Sequence, residues 1–126
     1  MIGVGGWGAG GHLQAYHDSP HADVVAVCDV VAERAREVAA QWGVEHAFAD
    51  YRELLTLPGI DAVDIATPNS FHREIALGAL AAGKHVLCEK PLALEVEHAR
   101  EMERAAREAG VVNAVNFVHR YVPAAR

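Results

Sequence analysis

The sequence contains little positive charge, no long apolar run and no sign of an export signal. Lys and Arg number 11 against 17 Asp and Glu, a net charge of −6 over 126 residues. A nucleic-acid-binding surface needs a basic patch, and a membrane-spanning helix needs about 20 consecutive apolar residues. The first residues also lack the basic segment that opens an export signal. We therefore expect no nucleic-acid partner, no membrane association and a cytoplasmic location.

Cysteines and metal-ligand spacings are equally sparse. The two cysteines, Cys28 and Cys88, suit a reducing compartment and exclude a framework of disulfides. Among the histidines, His17 and His21 are four residues apart, but Pro20 interrupts any helix that would bring them together. No Cys/His spacing resembles a zinc site, so we expect no bound metal.

Short apolar runs alternate with helical patterns along the whole chain. The β-branched and apolar runs that predict strands occupy residues 23–28, 46–48, 61–66, 85–88 and 111–117. The apolar spacings that predict helices occupy residues 31–42, 51–57, 71–82 and 95–109, and three of these helices stop at a glycine. Strands that alternate with helices form βαβ units around a parallel sheet. The sequence therefore predicts an α/β fold with a doubly wound parallel sheet.

A glycine-rich stretch opens the chain. Residues 3–8 read Gly-Val-Gly-Gly-Trp-Gly and match G-x-G-x-x-G, and residues 6–11 fit the same pattern in a second register. The first register is favoured because its turn directly follows the strand residues. Gly5 and Gly6 would let the backbone approach a pyrophosphate, and Gly8 would let the next helix pack closely on the sheet. The helix N-terminus would offer its amides to the phosphates.

An acidic residue in the expected place strengthens this weak motif. Asp29 directly follows the strand predicted at residues 23–28, about 20 residues after Gly8. Its carboxylate would accept hydrogen bonds from the adenosine ribose and repel a 2′-phosphate. Arg34 comes one helical turn later, and no arginine follows Asp29 directly. This favours NAD as the cofactor and leaves NADP possible, in a Rossmann-type domain. The alternative is a simple glycine turn followed by a helix-capping Asp.

Two later motifs carry a family resemblance. Residues 66–72 read ATPNSFH, and residues 83–93 read GKHVLCEKPLA. This succession resembles the glucose–fructose oxidoreductase / inositol dehydrogenase (Gfo/Idh/MocA) family, whose hallmark is a strand that ends in Glu-Lys-Pro. The resemblance covers essentially the whole chain and the first third of a typical member. It implies hydride transfer between nicotinamide and a secondary alcohol of a sugar, cyclitol or related polyol.

The resemblance also implies the site residues. Lys90 would contact the substrate hydroxyl and assist proton transfer, and the Lys90–Pro91 bond would commonly be cis. The other interpretations are an exposed lysine at a strand end, a His72 that merely packs, and an Asn69 that caps its helix. The residues expected to bind the cofactor are Gly3, Gly5, Gly6, Trp7, Gly8, Asp29, Thr67, Pro68, Asn69, His72, Glu89, Lys90 and Pro91.

Two other functions share these motifs. One is a glycosidase that uses NAD transiently, and the other is a non-catalytic nucleotide-binding or sensing module. Net formation of NADH separates the dehydrogenase from the glycosidase. For the leading interpretation we expect a small sugar or polyol as substrate and a homo-oligomer when the protein is full length.

Both ends of the chain depart from the family pattern. We expect residues 1–118 to form the nucleotide-binding domain and residues 119–126 to begin the connection to an absent substrate domain. The fragment alone should therefore be inactive. Just Met1 and Ile2 precede the glycines, whereas a strand usually has about five residues. In the strand order 3-2-1-4-5-6, this predicts a gap between the second and fourth strands. Glu95 stands where the family often has a capping Ser or Thr, and its charge still suits a helix N-terminus.

Overall fold

A computed structural model of the chain describes residues 1–122. It confirms the α/β class, since five parallel strands alternate with helices. The strands are β1 (Ala26–Cys28), β2 (His46–Phe48), β3 (Ala62–Ile65), β4 (His85–Glu89) and β5 (Asn113–Asn116). The α-helices are α1 (Gln14–His17), α2 (Ala32–Trp42), α3 (Tyr51–Thr56), α4 (His72–Ala81) and α5 (Val96–Ala109). A π-helical segment, Gly8–Leu13, precedes α1, and 3₁₀ turns occupy Asn69–Phe71 and Val118–Tyr121.

The residues before the glycine turn join the two halves of the sheet. β1 pairs with β2, and β3 pairs with β4, which in turn pairs with β5. Ile2 forms parallel bridges to both Cys28 and Ile65. Its N–H donates to the Asp64 carbonyl at 2.8 Å, and the Gly3 N–H donates to the Cys28 carbonyl at 2.8 Å. The order is therefore β2-β1-Ile2-β3-β4-β5. This is the predicted 3-2-1-4-5-6 order, with Ile2 in the position of its strand 1.

The predicted gap, which lies between β1 and β3 of the structure, is present in part. Ile2 closes it at the carboxyl end of the sheet. Toward the amino end a cleft of about 580 Å³ remains, lined by Val24 and Ile60 among others. The predicted strand at residues 23–28 begins at Ala26 instead. Within residues 1–122, no strand lies beside residues 23–25 to receive their backbone hydrogen bonds.

Helix ends follow the predicted turn chemistry. Gly43 and Gly110 end α2 and α5 in the left-handed conformation that glycine adopts without a steric penalty. Asp50 caps α3 by accepting the Arg52 N–H at 2.8 Å. Glu95 occupies the N-cap position of α5 without a side-chain cap bond, as its weaker capping chemistry predicts.

Apolar side chains fill both faces of the sheet. One cluster packs β3 and β4 against α4 and α5, and it includes Ile65, Ala79 and Met102. The other packs Val27 and Leu13 on the opposite face with residues of α2. Helices therefore cover both faces of the parallel sheet. None of the helices within residues 1–122 combines the length and the apolar character that a bilayer crossing requires.

The first helix packs so closely on the glycine turn that Gly8 has no room for a side chain. A Cβ at Gly8 would lie 2.1 Å from the Gly3 carbonyl oxygen, whereas a Cβ at Gly10 would meet nothing within 4 Å. We predict that Gly8→Ala lowers the free energy of unfolding by at least about 2 kcal/mol, because backbone must move to admit the methyl group.

Urea unfolding of the two variants is the measurement. Gly10→Ala should be stabilising by about 0.5–1 kcal/mol, since alanine is the better helix former. Equal stability of Gly8→Ala and Gly10→Ala would refute the close approach.

Candidate cofactor-binding and active site

The glycine turn forms one wall of a cleft at the carboxyl end of the sheet. Gly3 has φ +87°, and a Cβ there would lie 2.7 Å from the Ala66 carbonyl carbon, so the close crossing requires glycine. At Gly5 and Gly6 a Cβ would meet nothing within 4 Å, because both face open space. The cleft measures about 610 Å³, in the range of small-molecule sites. Of the predicted residues, it is lined by Gly3, Gly5, Gly6, Trp7, Asp29, Thr67 and Pro68.

Asp29 lies at the end of β1 and is buried. Its Oδ1 accepts the Val31 N–H at 2.9 Å and the Arg34 guanidinium at 3.0 Å. The side chain is therefore held in one orientation on the cleft wall. Arg34 lines the same cleft, so a cation and a carboxylate both lie in the part of the site where a ribose 2′ substituent would bind.

A second charged group lines the far rim of the cleft. The Arg52 guanidinium stacks over the Tyr51 ring at 4.6 Å from its centroid and donates to Glu74 and to Asp50 at 3.3 Å. Sequence reasoning did not single out these residues, because they belong to no motif. One guanidinium faces two carboxylates, Asp50 and Glu74, so this rim carries one net negative charge.

The segment after β3 contributes two residues to the cleft wall. Thr67 and Pro68 line the cleft, and within residues 1–122 the buried Thr67 Oγ1 has no hydrogen-bond partner. Such an orphaned hydroxyl fits a site that a polar ligand completes. Asn69 is exposed and begins a 3₁₀ turn. The interpretation of Asn69 as a helix cap was wrong, since Phe71 holds the N-cap position of α4 and no side chain caps it.

His72 is placed differently from the expectation. It was expected to contact the cofactor, but it is fully buried. Its Nδ1 lies 2.9 Å from the Pro91 carbonyl oxygen, and its Nε2 lies 3.0 Å from the Thr67 carbonyl oxygen. With both ring nitrogens directed at backbone carbonyls, His72 cannot face the cleft. It connects the segment after β3 to the segment after β4.

Glu89 and Lys90 lie where β4 ends. Lys90 is exposed, and the Lys90–Pro91 peptide bond is cis, as the family resemblance implies. The Glu89 carboxylate is buried; its Oε2 accepts the Lys90 N–H at 3.0 Å, and its Oε1 accepts the Trp7 indole N–H at 3.0 Å. Glu89 therefore connects the glycine turn to the residue that follows β4.

Behind Glu89 lies a buried polar cluster that the sequence interpretation missed. His12 Nδ1 lies 2.7 Å from Asp64 Oδ2, and His12 Nε2 lies 3.0 Å from Glu89 Oε1. Tyr16 donates to Asp64 at 2.7 Å, and Asn116 donates to Glu89 at 2.7 Å. A sequence signal existed, since His12 stands in the helix that the glycine motif opens.

The pKa values in this cluster follow from its hydrogen bonds. The hydrogen bond to Asp64 raises the pKa of His12, more than burial lowers it. Burial raises the pKa of Glu89, but hydrogen bonds from Trp7, the Lys90 N–H, Asn116 and His12 together outweigh it and leave that pKa lowered. His12 is therefore held toward the imidazolium form and Glu89 toward the carboxylate.

The two cysteines are buried, and Cys28 lines the cleft. Cys28 and Cys88 are buried, unpaired thiols on β1 and β4, with Ile2 and Ile65 between them in the sheet. Burial raises the pKa of Cys28 to about 11 and that of Cys88 to about 12. Both thiols stay protonated at neutral pH and are unreactive.

The fold and the cleft define a dinucleotide-binding Rossmann domain. The oxidoreductase family with an NAD-binding Rossmann fold (Gfo/Idh/MocA) matches residues 1–117. The chain belongs to this family, which confirms the resemblance carried by its two motifs, and it is an NAD(P)-binding domain.

Two individual relatives are similar to this chain over most of its length. The 1,5-anhydro-D-fructose reductase of Ensifer adhaerens is 49% identical over 94 residues, 75% of this chain and 28% of its own length. The levoglucosan dehydrogenase of Pseudarthrobacter phenanthrenivorans is 40% identical over 132 residues, 98% of this chain and 34% of its own length. The chain therefore spans about a third of the length of these relatives.

A solved structure shows the same fold with a nucleotide bound. KijD10, a 3-ketoreductase from Actinomadura kijaniata in complex with TDP-benzene and NADP, superposes with a TM-score of 0.92 at 32% identity. The match covers 98% of this chain and 39% of that one.

The cofactor preference is testable at Asp29. We predict that the chain binds NAD more tightly than NADP, because the buried carboxylate repels a 2′-phosphate. Asp29→Asn keeps an acceptor for the Val31 N–H, removes the charge and releases Arg34. The ratio of NADP to NAD affinity should rise about tenfold, the effect of one charge-assisted hydrogen bond.

Calorimetric titration with each nucleotide measures this ratio. Glu33→Gln removes an exposed acid on α2, the helix that carries Arg34; it is the matched control and should leave the ratio unchanged. A wild-type chain that prefers NADP would contradict the role given to Asp29.

Proposed function

We propose that the full-length protein is an NAD(P)-dependent oxidoreductase that transfers hydride between nicotinamide and a secondary alcohol of a sugar, cyclitol or related polyol. The observation that supports this most is the Glu89 carboxylate, which bonds both the Trp7 indole and the Lys90 N–H. Trp7 lines the nucleotide cleft, and Lys90 follows β4 at the carboxyl end of the sheet, the end at which ligands bind in open α/β folds. The names of the relatives, a sugar reductase and a sugar dehydrogenase, support the substrate class.

We assign the binding of the nucleotide to residues that line the cleft. Gly5 and Gly6 leave room for a pyrophosphate at the start of the first helix. Asp29 offers its carboxylate to the ribose, and Thr67 Oγ1 offers an unused hydroxyl. When bound, the nicotinamide supplies the hydride acceptor or donor.

We propose that Lys90 transfers the hydroxyl proton of the substrate. Oxidation of a secondary alcohol to a ketone removes a hydride from carbon and a proton from oxygen. We assign the proton to Lys90 Nζ, which takes it from the hydroxyl during oxidation and returns it during reduction. The remaining substrate contacts would come from outside this chain, which spans about a third of its relatives.

Substitution of Lys90 in the full-length protein tests this role. We predict that Lys90→Met lowers kcat by about 100-fold or more, the usual contribution of a general acid or base. Lys90→Arg should fail equally, because a guanidinium keeps its charge but does not release a proton. NAD(P) affinity should stay close to the wild-type value in both variants, since the lysine acts on the substrate.

The matched control is the other lysine of the chain. Lys84 lies before β4, at the opposite end from Lys90, and donates to the Ile60 carbonyl at 2.8 Å. Lys84→Met should retain near wild-type kcat. Normal turnover by Lys90→Met on the true substrate would refute the assignment.

A further inference from the structure

His12 occupies a position between two buried carboxylates on different strands. The π-helical segment Gly8–Leu13 directs its ring inward, where it is 6% exposed. Asp64 on β3 lies 2.7 Å from Nδ1, and Glu89 on β4 lies 3.0 Å from Nε2. Asp64 and Glu89 are both acceptors, so both ring nitrogens donate to them when His12 is an imidazolium. The Asn116 side-chain nitrogen also lies 3.3 Å from Nε2. Two carboxylates removed from water require such a cation or comparable donors.

Residues of other elements also face the Asp64 and Glu89 carboxylates. Tyr16 on α1 donates to Asp64, and burial raises the pKa of Tyr16, so its hydroxyl stays protonated. Trp7 and Asn116, which donate to Glu89, carry no titratable group. The Cys88 thiol on β4 also stays protonated.

The Met1 amino group is the other nearby cation. It donates to the Ala26 carbonyl at 2.7 Å, and burial lowers its pKa to about 6, with Asp64 opposing that shift. Its titration therefore falls on the acid side of neutrality. The hydrogen bond to Asp64 raises the pKa of His12, so the imidazolium is present below that raised pKa and is lost as the pH rises through it.

Glu89 transmits the state of His12 to the site. Its Oε1 accepts from His12, Trp7 and Asn116, and its Oε2 accepts from the Lys90 backbone. A carboxylate that loses its cationic partner loses the constraint on its orientation. The glycine turn at Trp7 and the peptide of Lys90 then lose a shared acceptor.

We propose that His12, as an imidazolium, is a positioning residue that fixes Glu89 and through it both the Trp7 indole and the backbone of Lys90. Its role in turnover rests on the proposed function, whereas its control of Trp7 and Lys90 does not. Deprotonation of His12 would thus disturb the cofactor wall and the catalytic lysine together.

Nuclear magnetic resonance on this chain tests the positioning without any turnover. With ¹⁵N-labelled histidine and backbone, we expect both His12 ring nitrogens to be protonated at pH 7. As the pH rises, the Trp7 indole N–H and the Lys90 amide should shift with the same midpoint as His12. A neutral His12 at pH 7, or a His12 titration that leaves Trp7 and Lys90 unmoved, would overturn the proposal.

Variants separate positioning from a general structural effect. His12→Gln should abolish the shared transition, and His98→Gln, an exposed histidine on α5, should retain it. If His12→Gln does not fold, Asp64→Asn provides the test. Removal of that carboxylate should move all three midpoints together to lower pH, by about one unit or more. Midpoints that move separately in Asp64→Asn would contradict the proposal.

Kinetics of the full-length protein give the second readout. His12→Gln should lower kcat by about 10- to 100-fold and remove an alkaline limb from the pH profile, with a smaller effect on the KM for nucleotide. An unchanged alkaline limb in His12→Gln would refute the role in turnover. A full-length protein that turns over no polyol refutes the proposed function alone, and the resonance experiment still decides the positioning role.

Discussion

The backbone of residues 1–3 is hydrogen-bonded on both sides, to Cys28 in one half of the sheet and to Asp64 in the other. This short segment sets where the glycine turn leaves the sheet, because the two backbones cross so closely that a Cβ at Gly3 would lie 2.7 Å from the Ala66 carbonyl carbon. The first helix then starts directly above the sheet, which is why Gly8 cannot carry a side chain. Helices lie on both faces of the parallel sheet at this point, and such a junction is where open α/β sheets bind ligands. The cleft, the position of the glycine turn and the hydrogen bond from Trp7 to Glu89 all follow from the same crossing.

Three buried carboxylates lie at this end of the sheet. Each is paired with a basic side chain that offsets the desolvation free energy of the carboxylate. Asp29 has Arg34, while Asp64 and Glu89 share His12. Burial of an unpaired carboxylate is expensive, so these pairs hold their side chains in defined orientations. In Asp29 the fixed carboxylate faces the cleft, and in Glu89 it holds the peptide of Lys90. Buried charge is therefore used here for orientation as much as for stability.

Much of the fold could be predicted from local pattern. The helices that end at Gly43 and Gly110 and the strands β2 to β5 lie within a few residues of their predicted bounds, because apolar spacing and turn glycines act locally. Strand β1 is shorter than predicted because pairing depends on a neighbour that periodicity does not reveal. His12 was missed for a related reason, since its two carboxylate partners are 52 and 77 residues away in sequence. The burial of His72 likewise depends on carbonyls of two separate segments.

Glu89 connects the glycine turn to the residues after β4, and we expect them to respond to a nucleotide as one site. Titration of the ¹⁵N-labelled chain with NAD measures this response. The amides of Gly5 and Gly6, the Trp7 indole and the Lys90 amide should shift together, with one dissociation constant. Saturation with NAD that leaves Gly5 and Gly6 unmoved, or that moves them without Trp7 and Lys90, would contradict it.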